Sequence, residues 1–236
     1  MIMSKSMPTT GPEDIHPASF IDHTLLTPVA TPDQISQLCE EAVEYGFAAI
    51  CIPPTFVRAA AEKLYGSEVG IATVVGFPLG YEMSAVKAFQ TQRAVASGAS
   101  EIDMVINLGA AVAGDLDQVG RDIAAVVAAA EDAVVKVILE CCLFAEDMKA
   151  TLARIAVENG AAYVKTSTGF SSGGATIADV RQLADTVAGR AGVKAAGGIR
   201  DWSTCRSMIE AGATRIGTSA GVAIIKGWQD ARSHGS

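Results

Sequence analysis

The segment AVENGAAYVK at residues 156–165 carries a helical pattern through a glycine into an apolar strand, and the chain repeats this arrangement three more times. The other copies are AVEYGFAAI at 42–50, AVASGASEID at 94–103 and MIEAGATRIG at 208–217. A glycine just past a helix end adopts the left-handed backbone conformation that closes the helix. Each copy therefore predicts a helix that leads directly into a strand.

Eight strands follow from these joints and from apolar runs elsewhere in the chain. Their starts are near Ile21, Phe47, Ile71, Glu101, Val134, Tyr163, Val193 and Thr214. The starts are about 28 residues apart on average, which is the length of one strand and its helix. Nearly continuous apolar strands, such as VVKVIL, are typical of a parallel sheet that helices cover.

This pattern predicts the α/β class and a single domain, a (β/α)8 TIM barrel at residues 19–228, with short tails at 1–18 and 229–236. The competing doubly wound open sheet would carry a GxGxxG dinucleotide fingerprint after a strand. No predicted strand is followed by one. The barrel is therefore the favoured fold.

The composition restricts the function. The 236 residues carry 18 basic and 26 acidic side chains, a net charge of −8, and aromatic residues make up 6%. Such a chain lacks the basic surface and the aromatic platforms that bind nucleic acid. The longest apolar run, at 123–130, is shorter than the roughly 20 residues of a membrane span. The start of the chain shows no signal-peptide pattern, so we expect a soluble, cytoplasmic protein without nucleic-acid or membrane partners.

The cysteines and histidines are not spaced as a metal site. The cysteines are Cys39, Cys51, Cys141, Cys142 and Cys205. Their odd number and irregular spacing predict reduced, mostly buried thiols. The three histidines, His16, His23 and His234, lie far from any Cys or His at ligand spacing, so we expect no metal.

Charged residues stand inside four consecutive predicted strands, the fourth to the seventh. They are Asp103, Lys136, Lys165 and Lys194. Burying a charge in a barrel strand is costly, so we expect these neighbours to surround one cavity. Three lysines with one carboxylate leave about two positive charges uncompensated, which argues against a purely structural ion network.

Uncompensated positive charge and loss of water both lower the pKa of a lysine, and a neutral amine is a nucleophile. One of the three lysines is then suited to form a Schiff base with a carbonyl compound. The remaining lysine and the aspartate are suited to proton transfer. Spacing alone does not choose among the lysines.

Glycine-rich loops follow the last three predicted strands, at 167–174, 197–200 and 217–221. In this fold such loops lead into helix N-termini and often bind phosphate through backbone N–H groups. The candidate binding residues in them are Thr168, Gly169, Gly197, Gly198, Gly217 and Ser219. The loops predict a phosphorylated substrate.

Three motifs, EIDMVINLG at 101–109, YVKTSTGF at 163–170 and VKAAGGIR at 193–200, resemble those of the 2-deoxyribose-5-phosphate aldolases, a family of class I, Schiff-base aldolases. The resemblance extends over nearly the whole chain outside the tails through IDHTLL at 21–26, AICIPP at 49–54, VKVILE at 135–140 and RIGTSAG at 215–221. It implies that Lys165 forms the Schiff base. It also implies that Asp103 and Lys194 exchange protons.

The resemblance assigns further roles. It implies that Lys136 is an auxiliary positive neighbour and that Asp22, Thr24 and Cys51 line the substrate pocket, while packing alone remains an equal interpretation of Cys51. His23 alternates with Asp22, so we expect it on the opposite face in a structural role.

The implied reaction is the reversible cleavage of 2-deoxy-D-ribose 5-phosphate to acetaldehyde and D-glyceraldehyde 3-phosphate in deoxynucleoside catabolism, without a metal or organic cofactor. Homodimers are common in the family. Two features depart from it, since Phe170 stands where some relatives have a phosphate-binding lysine, and the last tyrosine is Tyr163 whereas some relatives end in one. A phosphosugar isomerase and a non-catalytic phosphosugar-binding barrel remain as alternatives.

Overall fold

Eight parallel strands close into a barrel in the computed structural model, which describes residues 16–234. The strands are β1 (Ile21–Thr24), β2 (Ala49–Ile52), β3 (Gly70–Val75), β4 (Glu101–Val105), β5 (Val134–Ile138), β6 (Tyr163–Lys165), β7 (Gly192–Ala196) and β8 (Arg215–Thr218). Each strand pairs with the next, and β8 pairs with β1. The predicted TIM barrel is confirmed, and the strands begin within two residues of the predicted starts.

Helices alternate with the strands and cover the outside of the barrel. They are α1 (Pro32–Tyr45), α2 (Val57–Lys63), α3 (Ser84–Ala96), α4 (Leu108–Ala113), α5 (Leu116–Ala129), α6 (Glu146–Glu158), α7 (Ile177–Val187), α8 (Trp202–Glu210) and α9 (Gly221–His234). No helix in the described part of the chain combines the length and apolar composition needed to cross a membrane.

The four glycines of the sequence repeat have the backbone conformation that the repeat predicts. The φ angles of Gly46, Gly98, Gly160 and Gly212 are 67°, 107°, 90° and 110°. A side chain would strain this left-handed region, so glycine at these positions lets each helix stop abruptly. The following strand then starts within two or three residues, which keeps the eight units regular.

Parts of both predicted tails lie within the described residues, and there the structure differs from the prediction. Pro17 begins a short 3-10 helix, Pro17–Phe20, and Ala18 is buried against the apolar core. At the other end α9 continues to His234, so residues 229–234, expected as a tail, are helical. The rest of the predicted N-terminal tail, residues 1–15, lies outside the described residues.

The two faces of the sheet carry different side chains. The main apolar cluster fills the space between the strands and the helices. The face inside the barrel holds charged side chains, with a small separate apolar group of Cys51, Ala72 and Val74. His23 lies on the outer face as predicted, and its Nε2 atom is 2.7 Å from Oε2 of Glu41 on α1. All five cysteines are free, and only Cys142 among them is exposed.

Candidate active site

A cavity of about 490 Å³ opens at the carboxyl ends of the strands. Eight of the predicted site residues line it, namely Thr24, Lys165, Thr168, Gly169, Gly197, Gly198, Gly217 and Ser219. Arg200 and Phe170 also line the cavity. The barrel therefore brings the predicted phosphate loops and one of the three strand lysines into the same space.

Strand pairing explains why the predicted charged residues meet. Asp103 on β4 pairs with Lys136 on β5, and Lys165 on β6 pairs with Lys194 on β7. Residues paired in a parallel sheet point to the same face, so all four side chains enter the barrel interior. Gly217 on β8 makes room there, because a Cβ atom at this position would lie 3.0 Å from Cε of Lys194.

Asp103 is the centre of the ion network. Its Oδ2 atom accepts hydrogen bonds from Lys165 Nζ and Lys194 Nζ, each at 2.7 Å, and its Oδ1 atom accepts one from Lys136 Nζ at 2.7 Å. Asp103, Lys136 and Lys194 have no exposed surface, whereas Lys165 is 3% exposed at the cavity floor. Of the three lysines, Lys165 is thus the one that a bound molecule can reach.

The expected charge count was wrong. Two further carboxylates, Asp22 and Glu101, and a further cation, Arg215, enter the same network. Four cations then face three carboxylates, so the excess is one positive charge rather than two. Sequence analysis missed Glu101 and Arg215 as network members because each stands at the first position of its strand, where a charge also fits an exposed loop.

The network distinguishes the three lysines, which spacing did not. Burial lowers the pKa of Lys165, Asp103 opposes this, and the neighbouring Lys194 lowers it further, with a net shift below the ordinary value. Burial also acts on Lys136 and Lys194, but the carboxylates around them outweigh it and raise both pKa values. Lys165 is therefore the lysine of the three that most readily loses its proton.

Asp103 stays ionised despite its burial. Burial alone would raise its pKa, but the three lysines together hold the pKa well below the ordinary value. The same balance lowers the pKa of Asp22 to about 2, since Lys194, Lys136 and Arg215 outweigh burial. Both groups are acceptors at neutral pH.

Three predicted pocket residues lie beneath the cavity. Asp22 and Lys136 are fully buried members of the ion network, and Cys51 is 1% exposed in the inner apolar group. Burial raises the pKa of the Cys51 thiol. None of these three side chains lines the cavity.

A buried glutamate that sequence analysis gave no role, Glu140, organises the loop after β6. Its backbone is left-handed, with φ at 56°, and its side chain is 1% exposed. The carboxylate accepts hydrogen bonds from the backbone N–H of Thr168 at 3.3 Å and from the Thr168 hydroxyl. The Thr168 hydroxyl in turn accepts from the N–H of Phe170 at 3.0 Å. Glu140 thereby fixes one wall of the cavity.

Comparison with known proteins identifies the family. A family model described as DeoC/LacD family aldolase matches residues 18–227. The chain belongs to this family of aldolases. Aldolases of this kind are lyases, so the chain is an enzyme, and the resemblance found in its motifs is confirmed.

Individual relatives match over nearly their whole length. The deoxyribose-phosphate aldolase of Syntrophotalea carbinolica is 55% identical over 215 residues, which cover 91% of this chain and 97% of that one. The deoxyribose-phosphate aldolase of Brevibacillus brevis is 53% identical over 208 residues, covering 88% and 94%. These names do not favour the isomerase or the non-catalytic alternative.

A solved structure shows the same fold. The deoxyribose phosphate aldolase of Aeropyrum pernix, described as a tetramer, superposes with a TM-score of 0.85 at 36% identity and covers 94% of this chain and 93% of that one. The DeoC/LacD barrel is thus shared over nearly the complete chain.

In this DeoC/LacD aldolase, Phe170 forms an apolar side of the cavity mouth. It is 52% exposed and packs edge-to-face on Phe77, with the ring centroids 5.3 Å apart. Arg200 brings a positively charged side chain to the cavity wall, in addition to Lys165. Among the described residues, no three His, Cys, Asp or Glu side chains are grouped so as to hold a metal ion.

Proposed function

We propose that this aldolase reversibly cleaves 2-deoxy-D-ribose 5-phosphate to D-glyceraldehyde 3-phosphate and acetaldehyde through a Schiff base on Lys165. The observation that carries the proposal is the lowered pKa of Lys165 at a cavity floor where Asp103 accepts its hydrogen bond at 2.7 Å. The substrate is taken from the names of the relatives.

In the cleavage direction the neutral Nζ of Lys165 adds to the C1 carbonyl of the open-chain sugar. Loss of water from the carbinolamine gives a protonated imine. The C3 hydroxyl then loses its proton, the C2–C3 bond breaks, and its electron pair moves into the imine as glyceraldehyde 3-phosphate departs. The enamine left on Lys165 gains a proton at C2, and hydrolysis releases acetaldehyde and the free amine.

Asp103 and Lys194 are the proposed proton-transfer pair. Lys194 is within 2.7 Å of the Asp103 oxygen that also accepts from Lys165, so a proton passed between them stays next to the reacting nitrogen. Lys194 also lowers the pKa of Lys165. Its positive charge therefore favours the nucleophilic form of the amine before the substrate binds.

The phosphate is proposed to bind at the far wall of the cavity. Gly169, Gly197, Gly198 and Ser219 line this wall, and α9 begins two residues beyond Ser219. Backbone N–H groups near a helix N-terminus attract anions. The glycines have no side chains that would block access to these N–H groups. Arg200 adds a positive charge that offsets the missing lysine at Phe170.

The chemistry proposed needs no metal or organic cofactor, since the imine itself withdraws the electrons. We further propose a role in deoxyribose and deoxynucleoside catabolism. Free cysteines fit a reducing compartment such as the cytosol. A homodimer is proposed on the resemblance, and the Aeropyrum pernix relative, a tetramer, supports self-association in the family.

Borohydride trapping tests the central step. The protein is mixed with acetaldehyde or deoxyribose 5-phosphate, reduced with borohydride, digested and mapped by mass spectrometry. We expect a stable adduct on Lys165 and none on Lys226, an exposed lysine of α9 that serves as internal control. The absence of an adduct, with phosphosugar binding intact, would overturn the Schiff-base proposal.

A glutamine at Glu140 is expected to weaken phosphate binding more than turnover. The variant Glu140→Gln removes the charge that holds Thr168, and a hydrogen bond to a charged group contributes about 1.5–3 kcal/mol. We expect KM for deoxyribose 5-phosphate to rise by roughly tenfold while kcat changes by less than about threefold, measured by steady-state cleavage assays.

The matched control for this variant is Glu131→Gln. Glu131 also has a left-handed backbone, with φ at 53°, but its side chain is exposed. The control is expected to leave KM and kcat unchanged. An equal rise of KM in both variants would show that Glu140 does not act through the cavity wall.

A further inference from the structure

The ion network extends from Lys165 down to the opposite end of the barrel. Asp22 connects its two levels, because its Oδ2 atom accepts from Lys194 Nζ at 2.5 Å and its Oδ1 atom accepts from Arg215 Nη1 at 2.5 Å. Lys136 connects them a second time, since Nζ lies 2.7 Å from Asp103 Oδ1 and 2.5 Å from Glu101 Oε2. Two separate routes therefore join the lower level to the proposed catalytic groups.

The lower level is a charge pair. The Arg215 guanidinium donates Nη2–H to Oε1 of Glu101 at 3.1 Å while its other terminal nitrogen holds Asp22. The side chains are 13% and 10% exposed, at the amino-terminal end of the strands. Neither residue lines the cavity, so neither is expected to touch substrate.

Glycines shape this end of the barrel around the pair. The Arg215 guanidinium carbon lies 5.6 Å from the centroid of the Tyr163 ring, in a cation–π contact. A Cβ atom at Gly192 would lie 2.3 Å from that ring, and one at Gly70 would lie 3.3 Å from Oε1 of Glu101. Larger residues at these glycines would displace the groups that position Arg215.

We propose that Arg215 and Glu101 are positioning residues that set the charge balance around Asp103 and Lys194, and thereby the protonation state of Lys165. This inference rests on the proposed Schiff-base function. Arg215 fixes the Asp22 carboxylate against Lys194, and Glu101 fixes Lys136 against Asp103. Each residue also contributes one full charge to a buried network, where water screens charges weakly.

Opposite charges predict opposite effects. Removing the positive charge of Arg215 leaves Lys165 among fewer cations, so its protonated form is favoured and its pKa rises. Removing the negative charge of Glu101 leaves more uncompensated positive charge, so the pKa of Lys165 falls. A purely structural role at the barrel end would give loss of stability in both variants and no such pair of opposite shifts.

The charged and titratable groups around these residues are known from the contacts. Lys165 faces Asp103 of β4, Lys194 of β7 and Cys51 of β2, and Arg215 faces Asp22 of β1, Glu101 of β4 and Tyr163 of β6, with Lys136 of β5 between the two levels. Of these groups, burial raises the pKa of Cys51. The neighbouring cations lower the pKa values of Asp22 and Asp103, and the carboxylates raise those of Lys136 and Lys194, so these four groups stay charged at neutral pH. Lys165 is thus the group whose titration the variants should move.

The experiment is the pH dependence of borohydride trapping on Lys165 with acetaldehyde as the probe. The variants are Arg215→Met, Glu101→Gln, the double variant and Arg215→Lys, with Arg206→Met as control because Arg206 pairs with Glu210 on the outer surface. The rate of trapping falls at acidic pH as Lys165 becomes protonated. We expect the midpoint of this fall to move to higher pH in Arg215→Met and to lower pH in Glu101→Gln. Each shift should be roughly half a unit to one unit of pH, the order that one charge exerts through an effective dielectric constant of about 20.

In the double variant and in Arg215→Lys, the midpoint of the acidic fall in trapping rate should lie close to that of the unsubstituted protein. In Arg206→Met it should not change. Shifts in the same direction, or no shift, with the adduct still on Lys165 would overturn this inference alone. If Arg215→Met does not fold, the direction of the Glu101→Gln shift decides. No adduct in the unsubstituted protein would overturn the proposed function and this inference together.

Discussion

Replacing Lys165 by methionine is expected to lower the rate of deoxyribose 5-phosphate cleavage by about a thousandfold or more, the order seen when a covalent nucleophile is removed. Methionine keeps an unbranched chain of similar length but has no amine to form the imine. Cleavage rates are measured with product aldehyde detection, and borohydride trapping should give no adduct on any peptide.

The same variant should remain folded. The pKa of Lys165 is lowered in the folded protein, so below its unfolded pKa the protonated amine costs folding free energy instead of adding to it. Removing the amine should therefore leave the Tm unchanged or higher, measured by thermal unfolding at pH 7. Lys226→Met, on the exposed side of α9, is the control and should retain both activity and Tm. Activity within tenfold of the unsubstituted protein in Lys165→Met would rule out Lys165 as the nucleophile.

The fold was predictable from the sequence because its signals are local. Each glycine that stops a helix acts through its own φ angle, and the helix starts carry their own caps. Thr31 and Gln34, for example, form a capping box at α1 through reciprocal hydrogen bonds. Eight such units of similar length close into a barrel without any long-range information beyond their number. The helical residues near the carboxyl end were missed because 229–233 are mostly polar and exposed, and so resemble a tail in sequence.

The site was predictable in part. Asp103 and the three lysines were found because both faces of a barrel strand are buried, so that a charge in mid-strand costs free energy on either face. The partners at Asp22, Glu101 and Arg215 are brought together by barrel closure, which joins β1 to β8 and sets residues far apart in sequence within 2.5–3.1 Å. Spacing along the chain carries no trace of such contacts.

The choice of Lys165 among the lysines also depended on the structure. Lys136 touches three carboxylates and Lys194 touches two, whereas Lys165 touches Asp103 alone and has a second lysine beside it. The difference lies in the number of partners and not in residue type or burial, since all three side chains are nearly or fully buried. Sequence gives the residue type, and only the closed barrel gives the partners.

Replacing Asp103 by asparagine is expected to cause the largest loss of stability in the chain, together with a loss of activity. Three lysines share this carboxylate, and removing one partner of a buried ion pair costs about 3–5 kcal/mol. For a chain of this size 1 kcal/mol corresponds to roughly 2–4 °C, so the Tm should fall by about 6–20 °C at pH 7. The rate per folded molecule should fall by about a hundredfold or more, because proton transfer at the imine loses its acceptor.

The variant Asp122→Asn separates the loss of stability from the loss of rate. Asp122 forms a buried pair at 2.5 Å with Lys87 outside the barrel, so its variant should lose stability while keeping its rate per folded molecule. The pH dependence of the Tm provides a second check. The depressed pKa of Asp103 means that its stabilising contribution is present above its unfolded pKa of about 3.9 and is lost as the pH falls toward the folded value. The Tm difference between the unsubstituted protein and Asp103→Asn should therefore be constant from pH 5 to 7, within about 1 °C, and shrink below about pH 4. A Tm difference that persists unchanged in acid would mean that the Asp103 charge does not hold the three lysines.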